Sequence, residues 1–136
     1  IIRKIELGTS PLEKRISALN AMCEADYPVG LLIAPVIIFP DYESEYADLI
    51  TELADTLSGK VKRTGFIEII LMTYSYVHRA INAEAFPGAP DLYDALRMTG
   101  RGAGRYCYRD AIRAEAEAFL RAEIEKKLKM PIIYIS

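Results

Sequence analysis

The chain has 136 residues, of which 51% are hydrophobic and 26% are charged, and its formal net charge is −2 at pH 7. This composition excludes a disordered tail and indicates one globular domain or part of one. The net charge gives no sign of nucleic-acid binding, and no apolar run reaches the roughly 18 residues that a membrane-spanning helix needs.

The two cysteines, Cys23 and Cys107, lie far apart and form no CxxC pair or other metal-ligand spacing. Two thiols without a secretory context are typical of a reducing compartment, and the start of the chain has no apolar segment like that of a signal peptide. We therefore expect a cytoplasmic protein with no metal site in this chain. Cys23 lies on the apolar stripe of a predicted helix, so we expect it in the core.

Strand and helix patterns alternate along the first two thirds of the chain, which is typical of an α/β fold with a parallel sheet. The apolar run at 29–38 predicts a strand buried on both faces. Ser10 is the expected N-cap of the first helix, with Pro11 as its first residue, and Ser58-Gly59-Lys60 reads as a turn. In chain order, the patterns predict a strand over 1–7, a helix over 11–25, a strand over 29–38, a helix over 41–57, a strand over 65–72 and a helix over 77–86.

The last third of the chain breaks this alternation. Residues 98–109 are rich in glycine and arginine, residues 111–128 have helical apolar spacing, and residues 130–135 form a short apolar segment typical of a strand. Glycines with arginines could also indicate a phosphate-binding loop, but the Lys-Ser/Thr pair that a P-loop needs is missing.

Three segments resemble a known family when they are taken together and in this order. They are ELGTSPLEKRI at 6–16, YPVGLLIAPVI at 27–37 and GRGAGRYCY at 100–108. The chain resembles the C-terminal half of spore photoproduct lyases, which are radical S-adenosylmethionine enzymes, and the resemblance covers essentially its whole length.

The resemblance implies the C-terminal part of a partial (β/α)6 TIM-like barrel, followed by a β-hairpin, a long helix and a short terminal strand. Residues 1–97 would be the barrel portion and residues 98–136 the extension, in the same structural domain. The implied partners are DNA that contains a thymine dimer lesion and the N-terminal half of the same polypeptide.

The resemblance also implies a carbon–carbon lyase that returns the spore photoproduct, 5-thyminyl-5,6-dihydrothymine, to two thymines through a 5′-deoxyadenosyl radical. A CxxxCxxC motif in the N-terminal half would bind the [4Fe–4S] cluster to which S-adenosylmethionine is chelated. Because this chain lacks that motif, it would hold no catalytic or metal-binding residue and would be inactive in isolation.

For the cofactor, the resemblance implies a contact near Ala34, where Ala-Pro closes the second strand. Ligands of parallel α/β folds bind at the carboxyl ends of strands, and a small residue lets backbone groups approach a flat base. A plain strand exit is the alternative. The Gly8-Thr9-Ser10 segment could face an anion, although simple capping is the favoured interpretation.

For DNA, the resemblance implies a hairpin within 98–109 that wedges against the lesion. Its candidate contacts are Arg101, Arg105, Tyr106 and Tyr108, since arginines pair with phosphates and aromatic rings stack on bases. We expect the exposed arginines and Tyr106 to share one surface. Members of the family carry an aromatic residue directly after the arginine that aligns with Arg101, where this chain has Gly102.

Four further residues have open roles. Glu68 lies within an apolar strand and is expected to point into the barrel, where it could bind substrate or pair with an arginine. Arg79 could pair with Glu84 or with a phosphate, His78 is expected to be structural, and Cys107 is not expected to act in redox chemistry. The segment that holds His78 and Arg79 departs from the Gln-His-Arg-Phe-Thr of relatives.

Two other functions remain open at the level of the sequence. One is a stand-alone nucleic-acid-binding module built from the hairpin and the last helix. The other is a radical S-adenosylmethionine enzyme that acts on another substrate.

Overall fold

The computed structural model describes residues 8–136, so the strand predicted over 1–7 lies outside the described residues. The helices are α1 (Leu12–Glu24), α2 (Tyr42–Thr56), α3 (Gly59–Thr64), α4 (Tyr76–Ala85) and α5 (Asp110–Lys127). The strands are β1 (Gly30–Val36), β2 (Phe66–Leu71), β3 (Thr73–Ser75), β4 (Met98–Gly100), β5 (Arg105–Tyr108) and β6 (Ile132–Ile135).

A parallel sheet with the strand order β1-β2-β6 organises the fold, as the alternating pattern predicts. One of its faces is closed by helices. Ile67 and Ile69 on that face are fully buried in one cluster with Ile50 of α2 and Leu120 of α5. Truncating such a buried isoleucine to alanine typically costs about 2–5 kcal/mol, so this layer holds the sheet in place. Cys23 is buried in the same cluster, as predicted.

The opposite face of the sheet is open among the described residues. Leu32 is 60% exposed and Tyr134 is 52% exposed, and both lie level with Glu68 of the central strand. The prediction that the 29–38 strand is buried on both faces is therefore wrong for the described residues. Successive side chains of a strand point to opposite faces, and these helices cover only one of them.

A second, antiparallel sheet with the order β3-β5-β4 stands at the carboxyl end of the parallel sheet. β3 follows β2 after the single residue Met72, whose N–H donates to the carbonyl of Val36 at 2.9 Å. The hydroxyl of Tyr108 in β5 accepts a hydrogen bond from the N–H of Ile38, just after β1, at 2.8 Å. These bonds fix the small sheet against the carboxyl ends of both strands.

Two local predictions are corrected. Ser58-Gly59-Lys60 is not a turn: Ser58 caps helix α3, which begins at Gly59, because its hydroxyl accepts from the N–H of Val61 at 3.2 Å and Val61 is fully buried. Ser10 does not cap α1: Pro11 occupies the N-cap position, and no side chain makes a capping bond there.

None of the helices within residues 8–136 is long and apolar enough to cross a bilayer. The cytoplasmic location stays a prediction.

Candidate nucleic-acid interface

The glycine-rich segment forms the predicted hairpin, with β4 and β5 as its arms and residues 101–104 as its tip. Met98 pairs with Tyr108, and Gly100 pairs with Tyr106. Gly102, Ala103 and Gly104 all have positive φ, a conformation that glycine adopts without steric cost. The N–H of Arg105 donates to the carbonyl of Gly102 at 3.0 Å and closes the turn.

The two faces of the hairpin carry different side chains. Because neighbouring residues of a strand point to opposite faces, Arg105 and Cys107 share one face while Tyr106 and Tyr108 share the other. Arg101 lies on the side of Arg105 and Cys107, since its Nε donates to the Cys107 Sγ at 2.7 Å. The prediction that Tyr106 shares a surface with the two arginines is therefore wrong.

The arginine face consists of Arg101 and Arg105. The N–H of Arg101 donates to the carbonyl of Arg105 at 2.8 Å, so the backbone holds the two residues opposite each other. The Arg101 side chain is 53% exposed and lies 3.7 Å from a carboxylate oxygen of Asp110. The Arg105 side chain is exposed and has no ion-pair partner within the part of the chain that the structure describes. Both guanidinium groups can therefore reach an anion in solvent.

The tyrosine face is packed rather than open. The Tyr106 ring meets Tyr76 at 5.2 Å and Tyr93 at 5.1 Å between centroids, both edge to face. A hydrogen bond with Tyr76, with desolvation as a second cause, raises the pKa of Tyr106 to about 12. Its hydroxyl therefore stays protonated through the physiological range and can serve as a hydrogen-bonding group.

Tyr108 is not available to DNA. Its side chain is 1% exposed, and burial raises the pKa of its hydroxyl to about 12. The predicted base contact at Tyr108 is wrong because the ring fills the junction between the hairpin and β1, where its hydroxyl satisfies the N–H of Ile38.

An acidic residue that the sequence analysis missed ties the loop over 86–97 to β3 and α4. Asp91 accepts hydrogen bonds from the Tyr74 hydroxyl and from the Arg79 guanidinium, each at 2.8 Å. The N–H of Tyr93, the Tyr74 hydroxyl and the positive charge of Arg79 together lower the pKa of Asp91. Arg79 thus pairs with Asp91 and not with Glu84. The Pro90-Asp91 dipeptide, a common turn signal, was the available clue.

Ala34 and Glu68 both lie on the open face of the parallel sheet. Ala34 is exposed near the carboxyl end of β1 and is joined to Pro35 by a cis peptide bond. The register places Ala34 and Pro35 together opposite Ile70. Glu68 is partly exposed and has no hydrogen-bond or ion-pair partner among residues 8–136. This face thus offers an apolar surface with one carboxylate.

His78 lies outside the core, and its structural role stays a prediction. It is exposed in the first turn of α4, and its backbone N–H donates to the capping hydroxyl of Ser75 at 3.2 Å.

No group of three or more potential metal ligands occurs among residues 8–136. Cys23 is a buried residue near the end of α1, whereas Cys107 is buried in the hairpin, where Arg101 donates to its Sγ. The two thiols cannot therefore act on one metal together.

Comparison with known proteins decides the family. The family model described as spore photoproduct lyase matches residues 1–135. The chain belongs to the spore photoproduct lyase family.

Two curated spore photoproduct lyases illustrate the likeness. The protein of Bacillus subtilis (strain 168) is 29% identical over 128 residues, which cover 88% of this chain and 37% of the relative. The protein of Geobacillus sp. (strain Y412MC61) is 29% identical over 130 residues, which cover 93% of this chain and 38% of the relative. The chain thus spans less than two fifths of the length of these spore photoproduct lyases.

Solved structures agree with this assignment. Spore photoproduct lyase complexed with dinucleoside spore photoproduct matches with a TM-score of 0.88 and 26% identity, over 98% of this chain and 40% of that one. A variant spore photoproduct lyase with bound AdoMet and dinucleoside spore photoproduct matches with a TM-score of 0.83 and 26% identity, over 94% of this chain and 38% of that one. The α/β arrangement with a parallel and an antiparallel sheet is therefore that of spore photoproduct lyases.

Proposed function

We propose that this chain is the C-terminal part of a spore photoproduct lyase that repairs the spore photoproduct in DNA to two thymines. The observation that carries the proposal is the hairpin, which presents Arg101 and Arg105 at the carboxyl edge of a parallel sheet. That edge is where α/β folds bind their ligands. The solved relatives that hold dinucleoside spore photoproduct support the choice of substrate.

The open sheet face supports a larger barrel. Leu32, Ile70 and Tyr134 would not remain exposed on one face of a sheet unless further chain covered them. We propose that residues 1–97 are the last part of a partial (β/α)6 barrel whose remaining strands belong to the N-terminal portion. Residues 98–136 belong to the same domain, because Tyr108 and Leu120 are buried in one core with Ile67.

Within this proposal the arginines bind the DNA backbone. A guanidinium pairs with phosphate oxygens through two parallel hydrogen bonds, and Arg105 is free to do so without first leaving an acidic partner. Arg101 would exchange its weak contact with Asp110, at 3.7 Å, for a phosphate. Tyr106 supports the hairpin from its other face through its edge-to-face contacts, and Tyr108 anchors the hairpin to β1.

The residues around Ala34 fit an adenosyl group. Ala34 carries only a methyl group on the open face, next to the carboxyl end of β1, and the neighbouring Ile70 is 37% exposed. The backbone of Ala34 can therefore lie against a flat base, and Ile70 can exclude water from one side of it. When bound, S-adenosylmethionine would supply the radical chemistry of the repair reaction.

The described residues do not fit an iron–sulfur cluster. A cluster of this type needs cysteine thiolates held together, whereas the whole chain has two cysteines and these lie apart. We propose that the portion of the relatives that this chain does not span binds the [4Fe–4S] cluster, and that the chain alone has no lyase activity.

A stand-alone nucleic-acid-binding module is the second candidate. It is favoured by one observation: the hairpin, both of its arginines and the strand β3 with which it pairs all lie within the described residues.

A repair assay separates the two functions. A polypeptide that joins this chain to a cluster-binding N-terminal portion, reconstituted without oxygen, should convert dinucleoside spore photoproduct to thymidylyl-thymidine, and the chain alone should not. The joined polypeptide could instead retain the cluster and cleave the cofactor without repairing the lesion. That result would count against the proposed lyase activity and favour another substrate.

A further inference from the structure

A half-exposed tyrosine stands beside the hairpin tip. Tyr76 is the first residue of α4 and is 53% exposed. Its N–H donates to the carbonyl of Gly104 at 3.0 Å, so its backbone is fixed to the hairpin. Its Cβ and Cδ2 atoms lie 3.8 Å from the position that a Cβ on Gly104 would occupy. The ring therefore lies directly next to the tip.

The packing behind Tyr76 holds its ring in one orientation. Tyr106 meets it edge to face with an interplanar angle of 88°, and Tyr93 supports Tyr106 at 5.1 Å. Tyr74 lies 5.7 Å from Tyr93, and Asp91 binds the hydroxyl of Tyr74. This support lowers the conformational entropy that the Tyr76 ring loses when a ligand stacks on it.

The tip has no aromatic side chain of its own. Residues 100–104 are Gly-Arg-Gly-Ala-Gly, so Tyr76 supplies the aromatic surface beside it. Arginines lie near this surface: Arg101 and Arg105 are on the opposite face of the hairpin, and Arg79, which is 45% exposed and paired with Asp91, follows on α4. Exposed aromatic rings together with basic side chains are what proteins use to bind single-stranded DNA.

We propose that Tyr76 is a stacking platform for an unpaired nucleobase of the DNA strand that the hairpin binds. The phosphates lie against the arginine face, and the base lies on the tyrosine side of the same tip. This inference rests on the proposed function, because it assumes that the hairpin binds DNA, and it adds the residue that holds a base there.

The first test compares two ligands and two variants. Binding of single-stranded oligothymidylate by the 136-residue chain is measured beside binding of an abasic strand of equal length, which has the phosphates but no bases. Tyr76→Ala should weaken oligothymidylate binding about tenfold, because one stacked base is lost, and should leave abasic binding unchanged. Tyr76→Phe keeps the ring and should bind oligothymidylate as the unsubstituted chain does.

The second test uses fluorescence, because the chain has no tryptophan. In Tyr76→Trp, oligothymidylate should quench the indole emission, since stacking on a base quenches it, and the abasic strand should not. Tyr27→Trp is the matched control: Tyr27 is 58% exposed but precedes β1, at the amino end of the sheet. Its emission should not respond to either strand.

Equal oligothymidylate affinity for Tyr76→Ala and the unsubstituted chain would overturn the platform, and so would equal losses on both strands. The platform would also be overturned if Tyr76→Ala kept its affinity for oligothymidylate but no longer bound an apolar protein partner. If the unsubstituted chain binds neither strand, the proposed DNA-binding function fails together with the platform. If the unsubstituted chain binds oligothymidylate in a salt-dependent way and Tyr76→Ala binds it equally well, the platform alone fails.

Discussion

The hydroxyl of Tyr108 accepts a hydrogen bond at 2.8 Å from the backbone N–H of Ile38, which lies 70 residues earlier in the chain. This bond joins the hairpin to the carboxyl end of β1. The adjacent N–H of Ile37 donates in the same way to the hydroxyl of Tyr46 at 2.9 Å, from helix α2. Two consecutive amides after β1 are thus satisfied by tyrosines from two different elements.

Tyr108→Phe should therefore destabilise the chain by about 1–3 kcal/mol, because it leaves the buried N–H of Ile38 without an acceptor. Urea denaturation measures the loss. Tyr46→Phe is the matched control, since it removes the equivalent bond to Ile37 and should cost a similar amount. Only Tyr108→Phe should speed amide hydrogen exchange in the hairpin, and equal exchange in both variants would show that this bond does not hold the hairpin.

Asp91 should make the docking of the 86–97 loop depend on pH. Its folded-state pKa lies below the usual 3.8, so its contribution to stability is present above about pH 4 and is lost as pH falls through the lowered pKa. Asp91→Asn should loosen the loop at pH 6 by no more than about 1 kcal/mol, since the Arg79 pair is half exposed. The difference from the unsubstituted chain should shrink as the pH falls below 3.8.

Amide hydrogen exchange of residues 86–97 between pH 6 and pH 2.5 checks this prediction. Asp48→Asn, on the exposed side of α2, removes a carboxylate outside the loop and should leave the loop unchanged. A loop that loosens equally in both variants, or a difference that grows toward low pH, would contradict the assignment.

The open sheet face should matter only in the longer polypeptide. Leu32→Glu should change the stability of this chain by less than about 0.5 kcal/mol, because Leu32 is 60% exposed. In a polypeptide that includes the N-terminal portion, the same change would bury a charge and lower the melting temperature by several degrees. Leu96→Glu is the control, since Leu96 is 85% exposed in the loop before β4, outside the strands of the parallel sheet. Equal melting temperatures for the two long variants would argue against barrel closure over Leu32.

The chain alone should bind no iron–sulfur cluster after anaerobic reconstitution, because two separated cysteines cannot supply the thiolates. Iron and sulfide analysis checks this. Stoichiometric cluster in the isolated chain would show that this assignment of the cluster to the N-terminal portion is wrong.

The sequence predicted the elements well where apolar periodicity is strong. Ile67 and Ile69 alternate with Glu68, and the strand they indicate lies at 66–71. Local chemistry was sufficient for this strand. The hairpin was implied by the family resemblance, and Gly102 and Gly104 do take the positive φ that a tight turn uses.

The distribution of side chains over the hairpin was predicted poorly. Tyr106 and Tyr108 follow the same two-residue period, yet Tyr106 is partly exposed and Tyr108 is buried. That difference depends on where the hairpin docks, and its docking partner, Ile38, is distant in sequence. The pairing of Arg79 with Asp91 depends in the same way on a loop path that no local pattern determines.

The most direct measurement of the central claim is the affinity for lesion-containing duplex DNA across a series of salt concentrations. Arg101→Ala and Arg105→Ala are compared with Arg63→Ala, an exposed arginine on α3, just before β2 and thus at the amino end of the sheet. Each hairpin variant should weaken binding and lower the slope of log affinity against log salt by about 0.9, the value for one lost phosphate contact, whereas Arg63→Ala should change neither. Unchanged affinity and slope in both hairpin variants would contradict the account.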